Sequence, residues 1–148
     1  MLFNPTREQV REFFVTAWNK QRRHDVLSAL ESVASGIVLE HPEYHALLES
    51  PDILTREFPP EEGGTNPFLH LSLHLAIEEQ LTIDHPPGIR AAFDALRRKH
   101  ADRHRALHDM LECLGQTLYR ALRDNSSPDS HTYLDLVRHR AGLPPIGD

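Results

Sequence analysis

The sequence is short of cysteine, of basic residues and of long apolar runs, and each shortage removes a class of function. A single cysteine, Cys113, in 148 residues leaves no internal disulfide to form and points to a reducing compartment. Lys and Arg number 16 against 22 Asp and Glu, a net charge of -6. That balance argues against nucleic acid as the main partner, because phosphate binding needs a basic surface. The stretch "RRKHADRHR" (Arg97 to Arg105) is locally basic, but on an acidic chain it reads as a solvated helix face. No apolar run approaches the roughly 20 residues that cross a bilayer, and "MLFNPTREQVREFF" carries no signal pattern. A cytoplasmic protein without a membrane partner is therefore the expectation. Phosphate-binding glycine loops and nucleophile elbows are missing as well.

No segment alternates as a strand would, and five read as helices, so the expected fold is all-α, a helical bundle of about five helices in a single domain over residues 1–148. The first starts near Thr6 and carries Val10, Phe13, Phe14, Ala17 and Trp18 on one face. The second carries Leu27, Leu30, Ala34, Ile37 and Val38, followed in the same stripe by His41, Tyr44, His45 and Leu48. Pro42 removes a backbone donor there and should kink or restart the helix at His41. "SPDILTREFPPEEGGT" (Ser50 to Thr65) reads as a long loop, the segment most able to cover a site. Asn66 and Pro67 are the N-cap and first residue of the third helix, which should end before "DHPPG". The fourth stretch, Ile89 to Leu122, is one long helix or two broken near Asp102. A short helix from Pro128, stopped by Gly142, closes the chain.

What the chain has in excess is histidine, 11 in all. Four pairs stand four residues apart: His41 with His45, His70 with His74, His100 with His104, and His104 with His108. Chance placement would give about one such pair. Residues at i and i+4 share a helix face and can grip one metal ion. In a bundle, such faces on different helices point at one another, and metal sites in bundle cores are built that way. The alternative is a hydrogen-bonded histidine cluster with no metal, since a lone buried histidine usually bonds a carbonyl or a carboxylate.

The expected metal ligands are therefore His41, His45, His70, His74, His104 and His108. Glu78 extends the His70–His74 stripe by a turn, as ligand or as partner to a ring, and Glu112 does the same after His108. Imidazole with one or two carboxylates suits a transition metal, iron first and zinc second, in a mono- or dinuclear site, rather than calcium or magnesium. The partners expected are that metal ion and a small-molecule substrate or dioxygen. An enzyme of this kind would be a metal-dependent oxidoreductase or hydrolase. A non-catalytic interaction module or scaffold is the competing class. Cys113 beside the Leu111–Leu114 stripe reads as a small buried residue that a soft metal could recruit.

At "HPEYH", "NPFLHLSLHLAIEEQ", "IDHPPGIR" and "HRALH" the chain resembles a bacterial family known as domain of unknown function 1841 (DUF1841), from "FNPTREQVREFF" almost to the C-terminus. The resemblance groups the same six histidines. It matches the family's "EQ" to Glu79 and Gln80, so it points to Glu79 where the helical stripe points to Glu78. More distantly, the arrangement is similar to hemerythrin-like di-iron bundles, although the paired Glu-x-x-His motif of ferritin-like proteins is not reproduced.

Overall fold

The computed structural model describes residues 6–59 and 66–146. Among these residues there is no strand, and seven α-helices follow one another: α1 (Arg7–Arg23), α2 (Ala29–Leu39), α3 (His45–Leu48), α4 (Pro67–Ile83), α5 (Ile89–His100), α6 (Arg103–Arg123) and α7 (Ser130–Arg140). The all-α class stands, and the count corrects the expected five helices. Both extra helices come from splits. Pro42 opens a 3-10 turn over Pro42–Tyr44 that separates α2 from α3. Ala101 takes a left-handed conformation (φ 55°) that separates α5 from α6. None of the helices is long and apolar enough to cross a membrane.

The helix boundaries have local causes. Thr6 and Ser28 begin α1 and α2 with capping boxes, reciprocated by Gln9 and Glu31. Asn66 Oδ1 accepts from the N–H groups of Phe68 and Leu69 at 2.9 and 3.4 Å, so Asn66 and Pro67 start α4 as their residue types dictate. Asp102 caps α6 by accepting from the His104 N–H at 3.0 Å. Arg90 closes the far end of α4, donating to the carbonyls of Leu81 and Thr82 at 3.0 and 2.9 Å. The last helix begins at Ser130 behind Asp129, two residues later than Pro128 suggested.

The chain divides into two units, Met1–Leu75 and Ala76–Asp148, and the division falls inside α4. In the first, the core is built from Phe14, Ala17 and Trp18 of α1, Ala34, Ile37 and Val38 of α2, Leu48, Ile53, and Phe68, Leu71 and Leu75 of α4. Lys20 ties α1 to α2 through the Glu31 carboxylate at 2.9 and 3.1 Å. Arg11, 1% exposed, lies between the rings of Phe58 and Phe68 and donates to the carbonyls of Ile53 and Arg56 at 3.0 and 2.7 Å. It thereby anchors the described part of the loop after α3. Residues 60–65, the remainder of the loop expected to cover a site, lie outside the described residues.

In the second unit α5, α6 and α7 pack pairwise, burying Ile89, Phe93 and Leu96 with Leu107, Met110 and Leu114 and with Tyr133, Leu134 and Val137. The Tyr133 hydroxyl donates to Gln80 Oε1 at 2.6 Å. Cys113 is buried there, and burial pushes its thiol up to about 11, which makes it a packing residue and a poor metal ligand at neutral pH.

The α5–α6 junction sets two substitutions against each other. An alanine held at positive φ costs about 1 kcal/mol that glycine does not. Ala101→Gly should therefore raise stability by about 0.5–1 kcal/mol, while Asp102→Ala should lower it by about 1 kcal/mol through the lost cap. Urea unfolding midpoints that move in the same direction for both would contradict this account of the break.

Candidate metal centre

Three histidines meet within the first unit. His41 follows the end of α2 and is 2% exposed; His70 and His74 lie one turn apart on α4, with His74 only 1% exposed. One ring nitrogen from each lies within 4.8 Å of the others. The ring centroids are 5.0 Å apart for His41 and His70, 4.6 Å for His41 and His74, and 4.9 Å for His70 and His74. The planes meet at 67–76°, so the three imidazoles present edges to one another rather than stacking.

The protonation of His41 follows from its surroundings. Its Nδ1 is 2.7 Å from the carbonyl oxygen of Ile37. A carbonyl can only accept, so Nδ1 carries a hydrogen, and in the neutral ring Nε2 keeps its lone pair. That nitrogen lies 3.2 Å from His70 Nε2. Two nitrogens bound to one tetrahedral ion at about 2.0–2.1 Å would stand roughly 3.3 Å apart, so this pair already has the separation a shared ion requires. A hydrogen bond at one ring nitrogen that fixes the other for a metal is the usual support for a histidine ligand.

Tyr44, which sequence reasoning placed in the helical stripe but not in the site, flanks two of these rings. It stacks almost parallel on His41 (5.6 Å, 6°) and stands edge-on to His70 (6.0 Å, 74°). Burial first, and the charge of Glu43 second, raise the pKa of its phenol. The signal was the "HPEYH" block itself, which puts a tyrosine three residues after the first histidine.

The other expected ligands divide. His45 does not join the three: its Nε2 donates to the Val38 carbonyl at 2.8 Å, and its ring lies against Trp18 with centroids 4.3 Å apart. The reason is Pro42, whose 3-10 turn delays α3 until His45, so His41 and His45 never share a helix face. His104 and His108 are neighbours on α6, ring centroids 4.2 Å apart, as their spacing requires. His100 ends α5 instead of preceding them on one helix, and its Nε2 is 2.5 Å from Asp109 Oδ2. Glu78 accepts from Arg103 Nη2 with both carboxylate oxygens, at 2.9 and 3.1 Å. Glu112 is paired with Arg140. Glu79 is partly buried on α4.

The fold and this cluster define an all-helical protein with a buried histidine constellation. The chain belongs to the domain of unknown function family DUF1841, whose model matches residues 6–139. Comparison with curated proteins and with solved structures returns no match.

The assigned proton positions are directly observable. In metal-free protein, long-range nitrogen-15 correlation spectra should show His41 as the Nδ1–H tautomer and His45 as the Nε2–H tautomer. A His41 ring protonated at Nε2 alone would remove the lone pair from the face it shares with His70.

Proposed function

We propose that this chain is a metal-binding protein that holds a transition-metal ion, iron or zinc, on His41, His70 and His74. The observation that carries the reading is the 3.2 Å approach of His70 Nε2 to a His41 nitrogen whose lone pair is fixed by the Ile37 carbonyl. Nitrogen-rich donor sets suit zinc, ferrous iron, copper and nickel, and poorly suit calcium or magnesium. His104 and His108 enter the proposal on their sequence spacing alone, as further imidazole donors. Glu78 enters as a carboxylate donor only if it exchanges its two bonds to Arg103 for the metal, and its more economical role is to hold Arg103. A bound ion would supply Lewis acidity toward water or, as ferrous iron, reactivity toward dioxygen; hydrolase or oxidoreductase chemistry follows from which ion is present.

A second reading is a metal-free structural cluster, and the same contact favours it, because a protonated His70 Nε2 would donate to the His41 lone pair. The two readings move different quantities. Protein purified without a His tag should contain about one equivalent of transition metal per chain after reconstitution. The double variant His70→Gln, His74→Gln should lose it, whereas His139→Gln, on the exposed face of α7, should not. Under the structural reading, metal content is negligible from the start. The double variant then costs metal-free stability, roughly 1–3 kcal/mol for each buried hydrogen bond broken.

Stability should follow the metal. An ion held at a hundredfold excess over its Kd adds about 2.7 kcal/mol to the folded state, so a strong chelator should lower Tm by about 5–10 °C. Protons compete with metal for imidazole, so this chelator effect should shrink as the pH falls from about 7 toward 5. A melting curve unchanged by chelator, in protein shown to contain metal, would place that metal outside the buried cluster.

A further inference from the structure

Apart from its histidines, the first unit buries a cation. The Arg11 guanidinium is 1% exposed, and its Nη1 donates to the Ile53 and Arg56 carbonyls. Its Nε and Nη2 are buried as well, and among the described residues neither has a hydrogen-bond acceptor. These two N–H groups form one edge of the guanidinium, an edge that can grip both oxygens of a carboxylate side by side. A buried donor without an acceptor is costly and rare, and a charged one more so. Glu57, the carboxylate whose charge bears on Arg11, is paired with Arg7 at 3.2 Å and its side chain is 75% exposed. We propose that Arg11 anchors a binding site for a small monocarboxylate, held by Nε and Nη2 and flanked by the rings of Phe58 and Phe68.

Positive charge is concentrated at this place. Arg7 Nη2 and Arg11 Nη1 both donate to the Arg56 carbonyl, at 3.5 and 2.7 Å. The guanidinium carbons of Arg11 and Arg56 lie 5.4 and 5.6 Å from the centre of the Phe58 ring, and that of Arg11 lies 5.0 Å from the centre of Phe68. Burial first, and the charge of Arg7 second, lower the pKa of Arg11, as expected of a cation short of counter-charge. Arginine remains protonated at neutral pH even so, and an anion is what relieves it. The two rings offset part of the cost through their faces, but a π-face is a weaker acceptor than an oxygen. One guanidinium in apolar surroundings calls for one negative charge, whereas a phosphate dianion would bring a second charge to desolvate. Between two phenyl rings the rest of the ligand packs best if it is apolar or aromatic. Phe58 is the less buried of the two, so the ligand enters past its ring. No histidine takes part, and the inference stands independently of the metal-binding reading.

The test is a nitrogen-15 NMR titration of the full chain, in which a buried arginine Nε–H is protected from exchange and can be followed individually. Acetate, benzoate and inorganic phosphate are added in turn at constant ionic strength, with chloride as the balancing anion. The expected result is a saturable shift of the Arg11 Nε–H with both carboxylates, benzoate binding about tenfold tighter because its ring gains apolar contact. Arg11→Lys keeps the charge and loses the fork, so the benzoate-induced shifts of the backbone amides from Ile53 to Phe58 should disappear. Shifts that persist unchanged in that variant overturn the proposal; if the variant does not fold, the titration of the unaltered chain decides alone. An Arg11 resonance that moves no more with either carboxylate, up to about 100 mM, than with chloride overturns it, since even a millimolar ligand saturates at that level. Saturation by phosphate alone overturns the carboxylate class. Equal shifts at the exposed Arg105 and Arg123 reduce the response to adventitious screening and overturn the site itself.

Discussion

A backbone carbonyl accepts hydrogen bonds and never donates them, and this one-way chemistry at the end of α2 determines the state of the histidine cluster. The last carbonyls of a helix have no partner within the helix and carry its negative end. Here two of them face imidazoles: the Ile37 carbonyl accepts a hydrogen bond from His41 Nδ1–H and the Val38 carbonyl accepts one from His45 Nε2–H. The "HPEYH" block thus caps α2 with both of its histidines. Only His41 turns its remaining nitrogen toward α4. His45 lies against Trp18, whose indole N–H is in turn held by Glu49 at 3.1 Å.

The rest of the first unit serves to keep that geometry fixed. Leu71 and Leu75 belong to the hydrophobic core, and their positions on α4 alternate with those of His70 and His74. Packing of α4 therefore sets where its two imidazoles sit. Tyr44 closes one side of His41 by stacking, which limits ring rotation without using any of its hydrogen-bonding groups. A buried ring restrained in this way keeps its Nε2 edge toward His70.

Much of this was legible in the sequence where a single residue dictates the outcome. Asn66–Pro67 starts a helix, Asp102 is the candidate cap that left one helix or two open, and His70 and His74 share a face because nothing between them disturbs the winding. The illegible parts are those in which spacing and backbone disagree. His41 and His45 have the same separation as His70 and His74, but a proline one residue after the first replaces α-helical winding with a 3-10 turn. His100 has the separation too, yet the left-handed Ala101 ends its helix, and nothing in an alanine announces positive φ. Glu78 lies on the expected stripe of α4 and is claimed by Arg103, a partner 25 residues away that helical periodicity does not reveal. Spacing predicts which residues share a face; it does not predict which competing donor reaches a carboxylate first.

The central claim is that imidazoles of this chain, His41 and His70 foremost, bind one ion directly. X-ray absorption spectroscopy of the zinc- or iron-loaded protein addresses that claim without reference to activity. The account predicts a shell of nitrogen or oxygen donors at about 2.0–2.1 Å, with the outer-shell scattering of at least three imidazole rings, weakened in the His70→Gln, His74→Gln variant. A first shell of oxygen donors without imidazole scattering, identical in protein and variant, would contradict it.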